Sequence, residues 1–269
     1  MAKPPRVYKT SAIVLRQRRL GDTDKIITLY SADYGKVDAV AKGVRRVKSR
    51  LAGNVEPLSH GSYMFAKGRN LDIITQAQSI ETFQPLRDDL GRLSYAFYAA
   101  ELLDRATEER AENVAVYRLL LDTLRRLATR DDIDVVLRYF EMSLLTQLGY
   151  RPELRRCVFR GEELKQDKTA LWAPALGGVV CIECKPVEVV LTALSSEALA
   201  ALQLLQEGSF SEVAQSQDRG ELAVELERYL RDAIHYALDQ DVRSAAFLDD
   251  VRKGPKTRPV SQTPGAGTR

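Results

Sequence analysis

The spacing of apolar residues changes near Glu81, and this change limits the possible folds more than any other feature of the chain. Before it, apolar and polar residues alternate in short runs separated by Gly- and Asp-containing turns, which is typical of strands with one buried face. A longer irregular connection separates the third run from the fourth. The pattern predicts a five-stranded barrel of the OB-fold type within residues 1–81, with strands over Val7–Leu15, Lys25–Tyr30, Val37–Ala41, Ser62–Ala66 and Leu71–Thr75.

Beyond Glu81 the apolar residues recur at helical spacing. Three helical blocks lie between Asp88 and Leu148, and Gly149 follows as a helix-terminating residue. We therefore predict an α+β multidomain protein in which a helical domain over 82–252 follows the barrel. This domain contains a cysteine knuckle at about 150–188, with helices opening at Ser195 and running over 221–238, and a disordered tail covers 253–269. We assign the aromatic residues of the first helices to the core: Tyr95, Phe97, Tyr98, Tyr139 and Phe140.

Positive charge is concentrated in the predicted barrel. Residues 1–80 carry 15 Lys and Arg against 6 Asp and Glu, a balance of +9, whereas the whole chain carries +3. Five cations fall between Lys42 and Arg50, and no acidic residue lies between Asp38 and Glu56. A local cationic run could be no more than a solvated face. On a small barrel with this asymmetry, it favours a polyanionic partner such as nucleic acid.

The basic run gives the candidate DNA-binding residues. Cations in a loop can contact phosphates, and cations at the end of the first strand can extend the same face. Tyr30, Tyr34 and Tyr63 could stack on bases, although Tyr30 is better suited to the core. The predicted phosphate contacts are Lys42, Arg45, Arg46, Lys48 and Arg50, with Arg16, Arg18 and Arg19 as the extension.

The three cysteines follow an incomplete zinc-ribbon pattern. Cys157 precedes Cys181 and Cys184 at a spacing suited to two C-x2-C pairs, but Arg160 holds the fourth position and a guanidinium cannot ligate zinc. A metal would need a further ligand from Glu162, Glu163, Asp167 or water. The alternative is a metal-free knuckle that packs around Trp172, Leu176 and Val179. Zinc is therefore a possible cofactor, and a thioredoxin-like role is disfavoured because Lys185 and Pro186 follow where a helix should begin.

The sequence gives little support for catalysis. His60 and His235 are far apart and have no neighbouring nucleophile motif, and the common phosphate-binding and hydrolase motifs are absent. Asp22 and Asp24 are better suited to shaping the turn between the first two strands than to binding Mg²⁺. No apolar run reaches membrane-spanning length, and neither a signal peptide nor a disulfide framework is apparent. We expect a non-enzymatic, cytoplasmic protein.

The order of these motifs resembles the RecO family of bacterial DNA repair proteins. The resemblance covers roughly residues 6–250. It is carried, in chain order, by Gly21–Lys25, Tyr34–Lys36, Ala41–Arg50, Ala99–Asp104, Phe140–Leu154, Cys157–Val158, Gly177–Cys184 and Arg243–Leu248.

The resemblance implies an OB-fold followed by a helical domain with a zinc-finger-like insert. It implies a recombination mediator of the RecF pathway that binds single- and double-stranded DNA, anneals strands, contacts the tail of single-stranded-DNA-binding protein, and works with RecR to load RecA. Arg160 departs from the family pattern and leaves the metal in question. For the acidic tail, a rim of cations on the helical domain is required. Arg87, Arg92, Arg125 and Arg126 could supply it.

Two other functions remain open from the sequence. The chain could be an interaction scaffold whose helical domain carries the function, with an incidental basic loop. It could also be an OB-fold factor that binds RNA. The full-length resemblance favours the DNA mediator, with a nucleoid-associated location in the cytoplasm.

Overall fold

Five strand pairings, some antiparallel and one parallel, close the N-terminal strands into a barrel. The structure is a computed structural model that describes residues 6–164, 170–184, 186, 189–216, 220–238 and 243–252. Strand order around the barrel is β1-β2-β3-β5-β4, with β4 returning to β1, as in an OB-fold. The strands are β1 (Val7–Leu20), β2 (Asp24–Ser31), β3 (Gly35–Ala41), β4 (His60–Ala66) and β5 (Asp72–Glu81). The predicted five-stranded barrel is confirmed.

Alternate residues of the strands fill the barrel, while the opposite face of β1 and β2 joins a second core. Val14, Ile27 and Phe65 are buried inside the barrel. Ile13 and Tyr30 instead belong to the cluster formed by the helices. Because the same strands supply both cores, the barrel and the helices share a continuous packed contact.

Helices follow directly after the barrel, as the periodicity predicts. They are α1 (Gln84–Asp88), α2 (Leu90–Ala106), α3 (Val114–Thr129), α4 (Ile133–Gln147), α5 (Ser196–Glu207), α6 (Phe210–Ser216), α7 (Glu221–Leu238) and α8 (Arg243–Arg252). Gly149 has a φ of 87°, and its amide donates to the Thr146 carbonyl beyond the end of α4. Ser195 caps α5 by accepting a hydrogen bond from the Ala198 amide. None of the described helices is long and apolar enough to cross a membrane.

A small sheet lies between α4 and α5. It consists of β6 (Ala170–Ala173), β7 (Gly178–Cys181) and β8 (Thr192–Leu194), in the order β7-β6-β8. Trp172 and Val179 are buried in the helical core, so they do not pack around the cysteines as expected, and Leu176 is exposed. The cysteines pack instead on Ala173 and Val180, because alternate residues of β6 and β7 face opposite sides of this sheet. The predicted tail over 253–269 and Asp167 lie outside the described residues.

The barrel is fastened to the helices by ion pairs at one end. Arg110, in the connection between α2 and α3, donates to the buried Asp72 carboxylate and, at 3.0 Å, to the Tyr8 hydroxyl. Its φ of 62° is unusual for a residue with a side chain, and its amide donates to the Lys36 carbonyl at 2.9 Å. Lys36 in turn lies 3.3 Å from Asp104 of α2. These contacts fix how the barrel sits on the helical layer.

Candidate nucleic-acid interface and metal site

The basic loop, residues 42–50, leaves the end of β3 and is tied to the turn between β1 and β2. Val44 is buried in the barrel core, while Gly43 has a φ of 63° and donates its amide to Asp24 Oδ1 at 2.7 Å. The Arg45 amide donates to the Thr23 carbonyl at 3.0 Å. The pKa of Asp24 is lowered first by the Gly43 amide, then by Thr23, and also by the charges of Lys42 and Arg46. The loop is therefore anchored on its barrel side, and its charges face outward.

The five predicted cations of the basic loop are all exposed: Lys42, Arg45, Arg46, Lys48 and Arg50. Arg45 Nη1 donates to the Asp22 carbonyl at 2.8 Å, which holds this guanidinium beside the β1–β2 turn. Val47, at the centre of the run, is fully exposed. Nothing in the described barrel buries this segment, so it can contact an extended partner.

The strand extension brings part of the predicted arginine group to the same end of the barrel. Arg19 pairs with Lys25, and Lys25 pairs with Ala41, which directly precedes the basic loop. Arg18 and Arg19 are exposed, with Arg18 3.6 Å from Asp38. Arg16 is placed differently: its guanidinium lies 2.6 Å from Asp104 of α2. The structure therefore groups Arg18 and Arg19 with the loop and sets Arg16 at the contact with the helices.

The tyrosines do not form a stacking platform. Tyr30 and Tyr63 are buried, and the Tyr63 hydroxyl donates to the Asn54 carbonyl, so the suggestion that Tyr63 stacks on bases is wrong. Tyr34 is half-buried, with its ring centroid 4.5 Å from that of Tyr8. Alternate side chains of β4 face the barrel interior, and Tyr63 is one of them. The same alternation in the sequence could have indicated its burial.

His60 is a structural residue at the junction of barrel and helices. Its Nε2 lies 2.8 Å from the Tyr117 hydroxyl, and its Nδ1 lies 3.3 Å from Glu81. Burial lowers the pKa of His60 against the opposing effect of Glu81. His235 is exposed on α7, so the two histidines do not form a joint site.

The three cysteines converge on one point. Cys184 Sγ lies 3.7 Å from Cys157 Sγ and 3.2 Å from Cys181 Sγ, and all three sulfurs are within 4.8 Å of one another. Thiolates around a tetrahedral zinc ion are about 3.8 Å apart, given a Zn–S distance of about 2.3 Å. Within the described residues this cluster has three ligands, and neither Glu162 nor Glu163 belongs to it.

The surroundings of Cys157 favour a metal-binding thiolate. Burial opposes its ionisation, but the amides of Cys181, Arg160 and Phe159 donate to the sulfur, and its pKa falls to about 7. The pKa of Cys184 is raised to about 12, first by the hydrogen bond with Cys181 and then by burial. The neighbouring cysteines raise it further, because a second thiolate beside the first is unfavourable. A thiophilic cation would remove that penalty, so the donor set fits zinc.

One of the four cations proposed for the helical rim differs from the others. Arg87 and Arg92 donate to backbone carbonyls, and Arg125 is paired with Glu81. Arg126 instead lies over the rings of Phe210 and Tyr139, with its guanidinium carbon 4.2 Å and 5.6 Å from their centroids. Sequence spacing could not identify this patch, because Phe210 follows Arg126 by more than eighty residues.

Comparisons with known proteins agree across the whole chain. The family model described as "Recombination protein O N terminal" matches residues 5–83, and "Recombination protein O C terminal" matches residues 87–246. A curated DNA repair protein RecO from Roseiflexus sp. (strain RS-1) is 39% identical over 264 residues, covering 98% of this chain and 93% of the relative. Another, from Dehalococcoides mccartyi (strain CBDB1), is 35% identical over 248 residues, covering 92% and 97% respectively.

Proposed function

Because the chain belongs to the RecO family of DNA repair proteins, we propose that it acts as a non-catalytic recombination mediator. In this role it binds single- and double-stranded DNA, anneals complementary strands and helps load RecA onto coated single strands, together with RecR, in the cytoplasm at the nucleoid. We also propose that the DNA-binding domain ends at residue 81 and that the cations predicted above contact the phosphates. The observation that supports it most is the basic loop, whose exposed cations are held outward by the Asp24 and Val44 anchors.

Annealing needs charge neutralisation and no covalent step. Two phosphate backbones repel each other, and cations that contact both lower that repulsion while base pairing forms. Lys42, Arg46, Lys48 and Arg50 are exposed and make no ion pair within the described residues. A loop that is anchored at its base loses less conformational freedom when it binds a strand than a free tail does. The barrel therefore offers phosphates a set of cations in a fixed position.

The salt dependence of binding tests this surface. We expect the double variant Arg45→Glu with Arg46→Glu to bind a fluorescent oligonucleotide much more weakly than wild type. Its slope of log K against log salt should be smaller by about 1.4 for single strands, since each lost phosphate contact removes about 0.7. Fluorescence anisotropy over a salt series measures both quantities, and quenching between labelled strands measures annealing.

The matched control is Lys67→Glu with Arg69→Glu. These residues are exposed on the same barrel, in the β4–β5 turn, and the change in net charge is identical. If both double variants lose affinity equally, net charge rather than the basic loop controls binding. Unchanged binding by the loop variant at moderate salt would contradict the site assignment and favour the scaffold function.

For the tail of single-stranded-DNA-binding protein, we propose the patch of Arg126, Phe210 and Tyr139 as the contact. An acidic peptide needs a cation that is not already neutralised by a carboxylate. Arg126 offers a cation stacked on two rings, and the Arg130 guanidinium carbon lies 5.0 Å from the Phe210 centroid. Arg126→Glu should abolish binding of the tail peptide while DNA binding by the basic loop is retained. If Arg126→Glu still binds both the tail peptide and DNA, the tail binds elsewhere on the protein.

We also propose that Cys157, Cys181 and Cys184 hold zinc as a structural ion. Zinc would fasten the turn at Cys157 to the turn at Cys181–Cys184, which are separate in sequence. Elemental analysis of purified protein tests this: about one zinc per chain is expected, and Cys181→Ser should lose it.

A further inference from the structure

Arg160 stands where the cysteine pattern calls for a fourth sulfur. It follows Cys157 by three positions, as Cys184 follows Cys181. Its Nη1 lies 3.1 Å from Glu183 Oε2, so the side chain reaches across to the turn that holds the other two cysteines. The guanidinium therefore bridges the same two turns that a fourth ligand would join.

The described charges around the cluster favour a cation at this place. Zinc with three thiolates carries a net charge of −1, and Glu162 and Glu183 on the same turns add negative charge. The neighbouring Arg156 is directed elsewhere, 3.9 Å from Glu163. Among the described cations, Arg160 responds to the sulfurs: its pKa is raised first by Cys184, then by the hydrogen bond to Glu183, and also by Cys181.

We propose that Arg160 replaces the fourth ligand by charge rather than by coordination. The loaded site then has three protein thiolates and one position open to a small external ligand, such as water or a thiol, and Arg160 offsets the remaining negative charge. Within the described residues, which do not include Asp167, the cluster contains three donors, and the two nearby glutamates are not among them. This inference rests on the proposed zinc occupancy and is independent of DNA binding.

Three variants at position 160 separate charge from coordination. Arg160→Gln removes the charge and should weaken zinc binding by about ten-fold, the usual cost of losing a group that supports metal ligands. Arg160→Lys keeps the charge and should restore most of the affinity. Arg160→Cys supplies a fourth thiolate and should bind zinc more tightly than wild type. Competition with a chromophoric chelator measures each affinity, and Arg156→Gln is the control for loss of a nearby exposed arginine.

The open position is tested by cobalt in place of zinc. A small thiol added to the cobalt-loaded wild type should change its visible absorption, whereas the Arg160→Cys protein should not respond. Equal zinc affinity in wild type and Arg160→Gln would overturn the charge role of Arg160, and a thiol-insensitive wild-type spectrum would overturn the open position. If wild type binds no zinc and only Arg160→Cys does, the proposed zinc occupancy fails as well. Thermal melts of each variant at saturating zinc show whether the knuckle still folds.

Discussion

At the scale of single residues, a few buried or half-buried polar groups determine where the functional charges point. Asp24 accepts the Gly43 amide and so holds the basic loop, although its place in the sequence indicated only a turn residue. His60 joins β4 to α3 through Tyr117 and to the end of β5 through Glu81. Each makes contacts distant in sequence, and no local pattern predicts such contacts.

The lowered pKa of His60 predicts a loss of stability in mild acid. Its neutral form is favoured in the fold, so its contribution is complete above the ordinary value of 6.5 and declines as pH falls toward the lowered folded-state pKa. Between pH 7.5 and 5.5, wild type should lose more unfolding free energy than His60→Gln, by at most about 1.4 kcal/mol, because only one pH unit of this range lies below the ordinary pKa of 6.5. Urea unfolding at several pH values measures the difference.

Titration of Glu81 does not contribute to this difference between wild type and His60→Gln. Its pKa is lowered, first by the hydrogen bond from Arg125, so it stays ionised throughout this pH range. Parallel pH dependence in the two proteins would show that His60 does not titrate differently in the folded state.

At the scale of elements, the sequence predicts those segments whose burial pattern is regular. The strands of the barrel and α2 to α4 have clear periodicity, and the sequence predicts each strand to begin close to where it is observed to begin. The prediction misses the second halves of β1 and β5 because Arg16–Leu20 and Gln76–Glu81 are mostly polar. Both are strands because they pair with neighbouring strands, as in Arg18 with Ile26 and Gln78 with Ser62. Pairing with a distant partner outweighs local composition there.

The candidate sites show the same difference between features that are local in sequence and contacts between distant elements. Composition placed the basic loop, and cysteine spacing placed the knuckle, because both are local in sequence. The burial of Tyr63, the engagement of Arg16 by Asp104 and the patch of Arg126 with Phe210 depend on how elements pack. Such contacts join residues far apart along the chain and leave no periodic signal.

Gly35 provides a test of the contact between β3 and the connection after α2. A Cβ at this position would lie 2.0 Å from the Ala111 carbonyl oxygen, and its φ is 60°. Gly35→Ala should therefore cost more than the 1–2 kcal/mol typical of a left-handed alanine, by roughly 1–3 kcal/mol for the overpacked contact. Denaturant unfolding gives the value.

Gly21→Ala is the matched control, because Gly21 has the same φ of 60° and nothing within 4 Å of an added Cβ. Gly21→Ala should cost only the free energy of a left-handed alanine, about 1–2 kcal/mol. Equal destabilisation of the two variants would mean that the barrel does not rely on its close approach to Ala111.

At the scale of the whole molecule, the barrel and the helices are coupled by packing and by several charged contacts, of which Arg110 makes one. Ile13 and Tyr30 bury barrel surface in the helical core, and Arg110 reaches back to Asp72 and Tyr8. The two parts should consequently unfold together. Trp172 is the single tryptophan and lies in the helical core, so its fluorescence reports that part alone.

Replacing Arg110 should separate the unfolding transition of the barrel from that of the helices. The buried Asp72 would lose its guanidinium partner, at a cost of about 1–3 kcal/mol that falls mainly on the barrel. In Arg110→Ala we expect amide protection in β3 to be lost at lower urea than Trp172 fluorescence changes, whereas the two coincide in wild type. Arg118→Ala, an exposed position on α3, is the control. Coincident transitions in Arg110→Ala would assign the coupling to the remaining contacts, which are the apolar packing and the ion pairs of Asp104 and Glu81.

The position of the last helix has a consequence for synthesis on the ribosome. All pairings of the barrel are complete once Glu81 has been made, whereas α8, which packs against α2, begins only at Arg243, about 160 residues later. Domains generally fold in the order in which they emerge. A nascent chain can therefore form its cationic barrel, and meet polyanions, well before the helices that α8 completes are present to cover the barrel's second apolar face.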